Sequence, residues 1–359
     1  MALAGLAAGA FAIGVAVGQE PPHRPIAASK LSVSQLVGQR LVAGFPGGTV
    51  PAAVRRMVRS GQLAGVVLFA GNLRGRGASR DLVSDLQETP HPTAPRDPLL
   101  VMVDQEGGQV KRIGGAPTAS ARQIGARGPA FAREQGERTA RNLRNVGVNV
   151  NLAPVLDVAR PGGDIAATER GFGATPREVA RTAIPFAAAM QDHGVAATAK
   201  HFPGLGAARA NTDFEVQRIR LSRRALRRVD ESVYRPFEAI GGELVMLDTA
   251  IYPAFSARPA AFSGRIASGE LRGRLGFGGV TITDALGSVA ARAFASPARA
   301  GVAAARAGAD LLLYTDYRDA MRARRALLRG LRSGALPRPR FVSAAQRVLS
   351  LRHRLRSSD

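Results

Sequence analysis

The chain has 359 residues, 45% hydrophobic and 21% charged. That is enough for one large domain or two ordinary ones, and it excludes wholesale disorder, a collagen-like repeat and a polytopic membrane protein. Cysteine and tryptophan are absent, which removes disulfides, thiolate metal sites and a cysteine nucleophile and argues against an aromatic-lined carbohydrate-binding module. The formal net charge is +23, almost all of it arginine, because lysine occurs only at Lys30, Lys111 and Lys200. Such a field attracts nucleic acid, anionic lipid or an acidic cell-wall polymer. No zinc-finger, ribonucleoprotein or basic-zipper signature accompanies it, so no specific nucleic-acid partner is expected.

Residues 1–18 form an uncharged apolar run followed by the polar QEPPHRP. The run reads as a secretory signal, with Ala16 and Gly18 before a cut at Gln19, or as a single membrane anchor. Either reading exports the protein, secreted or held on the outer side of the cytoplasmic membrane. Residues 19–35 read as a linker, and 36–356 as one domain.

From about residue 36 the chain alternates short apolar runs with longer helix-like segments, the pattern of a parallel α/β protein. The runs lie at 40–45, 64–70, 99–104, 149–154, 195–201, 243–249, 279–285 and 310–316. They are nearly continuous rather than alternating, as strands covered on both faces should be. Thr175-Pro176-Arg177-Glu178 is a capping box with proline in the first turn. Gly194 closes that helix, and Pro185 within it predicts a kink. Gly147 ends the helix before the fourth run. Eight such units with no composition shift predict one (β/α)₈ barrel, with an open doubly wound sheet as the alternative.

In a barrel the chemistry sits at the C-terminal ends of the strands. Those ends carry Asp104, Asp157, Lys200 with His201, Asp248, Asp284 and Asp316. Singly, each reads as a helix cap or a structural ion pair. A ring of carboxylates with one Lys-His pair describes a pocket for a polyhydroxylated ligand. Retaining glycoside cleavage needs a carboxylate nucleophile and a nearby acid/base. Asp284 closes the seventh run and is followed by small residues that leave its carboxylate facing the mouth. Lys200-His201 precedes FPGLGAARANTDF, a Gly-rich loop long enough to cross the mouth. A lysine there forms a Schiff base, donates to sugar hydroxyls or simply pairs with a carboxylate. DQEGGQVKR at 104–112 carries two glycines that let the backbone approach a ligand.

These segments resemble family 3 glycoside hydrolases, specifically the single-barrel NagZ-type β-N-acetylhexosaminidases. The matching motifs run in order: Gly65–Asn72, Val103–Arg112, Asn149–Val158, Arg170–Gly173, Lys200–Gly204, Arg258–Ser263 and Leu271–Leu286. The segment 343–352 is similar too. The resemblance implies a barrel, no metal or organic cofactor, and a carbohydrate substrate ending in β-linked N-acetylglucosamine, as in peptidoglycan fragments. A β-glucoside or β-xyloside is the alternative. It also implies Asp284 as nucleophile, and Asp104, Arg170, Lys200 and His201 as the residues that hold sugar hydroxyls.

One motif departs from the family. Where the short enzymes read KHFPGHGDTxxDSH, this chain reads KHFPGLGAARANTD. Leu205 replaces a histidine, Asn211 an aspartate, and Asp213 the catalytic histidine. Thr249 stands for another family histidine. Three readings follow: Asp213 is the acid, its pKa raised by burial near Asp284; Glu215 or Asp248 supplies the proton; or the barrel keeps a sugar pocket without efficient hydrolysis. A Schiff-base lyase on Lys200 is the reading from another class. The arginine-rich stretch 218–228 is expected on an outer helix, either as a solvated face or as a contact to an anionic cell wall or membrane surface.

Overall fold

The computed structural model describes residues 26–92 and 97–356. The apolar run at 1–18, and with it the expected signal or anchor, lies outside the described residues. Among the described residues, no helix is long and apolar enough to cross a membrane.

All eight expected strands form: β1 Leu41–Ala43, β2 Gly65–Val67, β3 Leu100–Val103, β4 Val150–Asn151, β5 Ala196–Phe202, β6 Leu244–Leu247, β7 Val280–Thr283 and β8 Leu312–Tyr314. Every pairing is parallel, in the order β7-β6-β5-β4-β3-β2-β1-β8. The open ends meet, since Leu311 N–H donates to the Thr281 carbonyl at 2.8 Å and Leu286 N–H to the Leu313 carbonyl at 2.9 Å. The sheet therefore closes on itself as a (β/α)₈ barrel rather than an open doubly wound sheet.

Burial on both faces explains the continuous apolar runs. Val42, Val67, Met102, Val150, Ala196, Met246, Ile282 and Leu313 pack together inside the barrel. Leu41, Val66, Val101, Val103, Val245 and Leu247 belong to the layer beneath the helices. Successive residues thus point to opposite sides, as a pleated strand requires, and both sides are dry. The C-terminal helix Arg338–Arg356 adds Val348, Leu351 and Leu355 to the inner cluster. It closes the end of the barrel away from the chemistry.

That closed end is tied electrostatically. Asp310 accepts from Arg272 at 2.5 Å and from Arg347 at 2.7 and 3.1 Å, while its backbone carbonyl accepts from the buried Arg40. Residues 28–36 join the barrel through Ala28, Leu31 and Leu36, which pack on Ala345 and Leu349.

Two local expectations meet the structure differently. The capping box forms, with Glu178 N–H donating to Thr175 Oγ1 at 3.2 Å, and the helix Pro176–Asp192 runs unbroken through Pro185. The stretch 218–228 is not one helix. Arg218 bridges to Ile251, and helical structure starts only at Arg223, where Ser222 caps the turn by accepting from Ala225 N–H. The ladder contact to 251 holds the first half extended.

Candidate active site

The C-terminal ends of the strands converge on a cavity of about 150 Å³ at the barrel mouth. Six residues expected from the sequence line it together: Asp104, Arg170, Lys200, His201, Asp213 and Asp284. They come from five places in the chain, and each is delivered by the end of a strand or the loop that follows.

The floor is a buried four-charge network. Lys200, at the end of β5, donates to Asp104 at 2.8 Å and to Glu106 at 2.7 Å. Arg170 grips Glu106 with two bonds of 2.8 and 2.9 Å. Arg112 lies 3.6 Å from Asp104. Burial alone would drive Glu106 towards its neutral acid; the charges of Arg170 and Lys200 overcome this and hold its carboxyl well below the usual range. Burial likewise opposes the charge on Lys200, and Asp104 and Glu106 reverse it, so the ammonium is held protonated. A protonated, doubly paired lysine is a hydrogen-bond donor and not a Schiff-base nucleophile, which needs the free amine.

His201 is oriented from behind. Its Nδ1 meets Asp157 Oδ2 at 2.7 Å, and the other oxygen of Asp157 accepts from Leu205 N–H at 2.6 Å. Desolvation lowers the His201 pKa, but the Asp157 charge and hydrogen bond outweigh it and the net shift is upward. With Nδ1 committed to Asp157, Nε2 is the nitrogen left for a ligand.

Asp284 follows β7. Its backbone N–H donates to Leu247, and its Oδ1 accepts from Ala285 N–H at 2.7 Å. Asp213 reaches the cavity from the loop after β5. Gly204 starts that loop at φ 136°, a conformation glycine adopts without strain, with Asp230 packed where a Cβ would stand. Arg160 fixes Asp230 by two bonds of 2.6 and 2.8 Å. At the far end Asn211 Oδ1 accepts from Asp213 N–H at 2.8 Å, and the Asp213 carbonyl accepts from Val289 N–H at 3.1 Å. The Asp213 residue is open to water on one side while its carboxyl faces the cavity. Partial desolvation, then repulsion from Asp284 and from Asp104, raises its pKa from 3.8 to about 6.

The other proton-donor candidates stand elsewhere. Glu215 is exposed and does not line the cavity. Asp248 is fully buried, accepts from the Tyr252 hydroxyl and from Ala250 N–H, and also lies outside the lining. Burial pushes its pKa up to about 7. Thr249 is buried and likewise apart. Glu106 is absent from the expected site although it belongs to the DQEGG motif, and Asp157, seen as a strand-end carboxylate, has its role defined only by His201.

The matches to known proteins agree with this geometry. Residues 32–351 match the model of the glycosyl hydrolase family 3 N terminal domain. A protein of Arthroderma benhamiae described as an uncharacterized secreted glycosyl hydrolase is 35% identical over 342 residues, covering 92% of this chain and 96% of that protein. A beta-hexosaminidase of Stenotrophomonas maltophilia is 35% identical over 286 residues, covering 76% and 82% of the two chains. Among solved structures, a family 3 beta-N-acetylglucosaminidase from Paenibacillus superposes with a TM-score of 0.85 at 33% identity; the chain covers 63% of its length. A beta-N-acetylhexosaminidase from Beutenbergia cavernae superposes at 0.82 with 30% identity, and there the chain covers 98%. With a strand-end nucleophile candidate and residues from six of the seven motifs lining one pocket, this chain belongs to glycosyl hydrolase family 3.

Proposed function

We propose that the protein is a retaining β-N-acetylhexosaminidase-like glycoside hydrolase that removes a terminal β-linked N-acetylglucosamine. The observation that carries the reading is that Asp284 and a second carboxyl, Asp213, line the same cavity, where burial and the charge of Asp284 push the Asp213 pKa up to about 6. Asp284 attacks the anomeric carbon, the bond from that carbon to the leaving oxygen breaks, and the Asp213 proton passes to that oxygen. Water then attacks the same carbon, gives its proton to Asp213, and releases Asp284 as a carboxylate. Asp104 and Glu106 accept from sugar hydroxyls, Lys200 and Arg170 donate to them, and His201 Nε2 hydrogen-bonds with them. Relatives named as beta-hexosaminidases support the choice of sugar.

The apolar run at 1–18 and the secreted fungal relative support export. The exposed Arg218, Arg220, Arg224 and Arg228 suit an anionic surface outside the cytoplasm.

Hydrolysis of nitrophenyl and methyl β-N-acetylglucosaminides, beside the matching β-glucosides and β-xylosides, tests the reading. Turnover of both N-acetylglucosaminides by the wild type and of neither by Asp284→Asn is expected. Turnover of the nitrophenyl substrate alone means a nucleophile without a working acid. Turnover of none leaves only a binding pocket and ends the hydrolase reading.

A further inference from the structure

Phe214, the residue after Asp213, is 79% exposed. Val289, whose N–H holds the Asp213 carbonyl, is 48% exposed, and Val216 is 38% exposed. Single exposed apolar residues are ordinary; here Phe214 follows Asp213 in the chain and Val289 is bonded to its carbonyl, so two exposed apolar residues form an uncovered rim along the backbone of a cavity-lining residue. The rim is not on loose chain. Phe214 N–H and Glu215 N–H both donate to the Asn211 carbonyl at 3.1 Å, and Ala290 N–H donates to the Thr212 carbonyl at 3.3 Å. Asp213 and Phe214 are therefore presented as one fixed turn.

The position of the leaving group follows from the chemistry. A general acid works within roughly 2.6–3.2 Å of the oxygen it protonates, so the aglycone starts beside the Asp213 carboxyl. It must extend outward, because the charged floor receives the sugar being removed. The next residue is one Cα step, about 3.8 Å, along the chain, so an aglycone that extends outward past Asp213 meets the exposed turn that carries Phe214. Glu215 and Asp213 beside it disfavour an anionic group.

We propose that Phe214, flanked by Val289, is the platform of the leaving-group subsite. It takes a ring with an apolar face, either an aryl group or the face of a second sugar. The proposal rests on the reading of Asp213 as the acid.

The test compares methyl and phenyl β-N-acetylglucosaminides and the β-linked disaccharide of N-acetylglucosamine, with wild type, Phe214→Ala and Phe214→Tyr. For each substrate the ratio of variant to wild-type kcat/KM cancels the intrinsic difference between leaving groups. Phe214→Ala should lower kcat/KM by roughly 3- to 10-fold for a substrate whose ring stacks and leave the methyl glycoside unchanged, while Phe214→Tyr retains the wild-type values. A loss on the phenyl substrate alone assigns the platform to aryl groups; a loss on the disaccharide assigns it to sugar faces. An equal loss on all three substrates, or no loss on any, overturns the proposal. Should the wild type cleave none of them, the hydrolase reading fails by itself, and calorimetric binding to Asp284→Asn decides the platform. Phenyl glycoside should then bind roughly 3- to 10-fold tighter than methyl glycoside, with the advantage lost on adding Phe214→Ala. Equal affinities, or no binding, overturn it.

Discussion

Replacing Glu106 by glutamine keeps the shape of the pocket floor and removes one charge. The side chain is 3% exposed and holds both Arg170, 12% exposed, and Lys200, 2% exposed. One such contact at 2.8 Å has a gross Coulomb value of about 6 kcal/mol at an effective dielectric constant of about 20. Desolvation of the buried charges offsets most of it in the native protein. Removing one partner leaves the others unneutralised, and that costs roughly 3–5 kcal/mol. Asp104 alone would then face Arg170, Lys200 and Arg112. Denaturant unfolding of Glu106→Gln should show this loss, and the displaced Lys200 and Arg170 should lower kcat/KM by about 10²-fold.

The pH dependence has a definite sign. The folded carboxyl is held below its ordinary value of 4.5, so its contribution is complete above that value and is lost as pH falls through the folded one. The gap between wild type and Glu106→Gln should be flat between about pH 6 and 8 and shrink only in strong acid. A stability loss under about 1 kcal/mol, which is the range of an exposed ion pair, or a gap that widens on acidification, would refute the reasoning.

Asp157→Asn should cost about 1.5–3 kcal/mol, the range of a hydrogen bond to a charged group. Because the His201 pKa is raised in the fold, the wild-type advantage should be complete below pH 6.5 and fade as pH rises through the folded value; unfolding at pH 6 and pH 9 checks it, and an advantage that grows with pH counts against the pairing. Asp310→Asn, at the closed end, should lose roughly 3–5 kcal/mol of stability while kcat and KM of the folded fraction stay unchanged, since that face stabilises rather than reacts. Altered kinetics with unaltered stability would reverse that assignment. The leaderless protein should sediment with phosphatidylglycerol vesicles at low salt and release when screening shortens to about 3 Å at 1 M salt; binding insensitive to salt, or equal on neutral vesicles, removes the electrostatic surface.

The eight strands were legible because both faces of each are dry, so every strand is a short apolar run between polar ends. The limits of the runs were less legible. The fourth run spans 149–154, but its regular strand stops at Asn151; pairing with β5 continues irregularly through the Ala153 and Pro154 carbonyls to an isolated bridge between Val155 and Lys200. Asp104, Lys200, His201 and Asp284 were legible as polar ends of apolar runs, whereas Arg170 and Asp213, which lie on loops, were expected only from the family resemblance. The partnerships of the pocket residues were not legible, because Glu106 meets Arg170 from 64 positions away and Asp157 meets His201 from 44. Only closure of the barrel supplies those contacts. The arginine-rich stretch misled for the opposite reason: its composition is helical, but the contact of Arg218 with Ile251 keeps the first half extended.

The most direct test of the account is the pH dependence of kcat/KM on methyl β-N-acetylglucosaminide, whose poor leaving group needs a proton. For the wild type, activity should fall as pH rises through about 6, where Asp213 loses its proton. Asp213→Asn should lose about 10²- to 10⁴-fold on this substrate, lose that alkaline limb, and keep most of the first-step rate on the nitrophenyl glycoside. Full activity of Asp213→Asn on the methyl glycoside, with the limb intact, would contradict the assignment of the acid and with it the proposed mechanism.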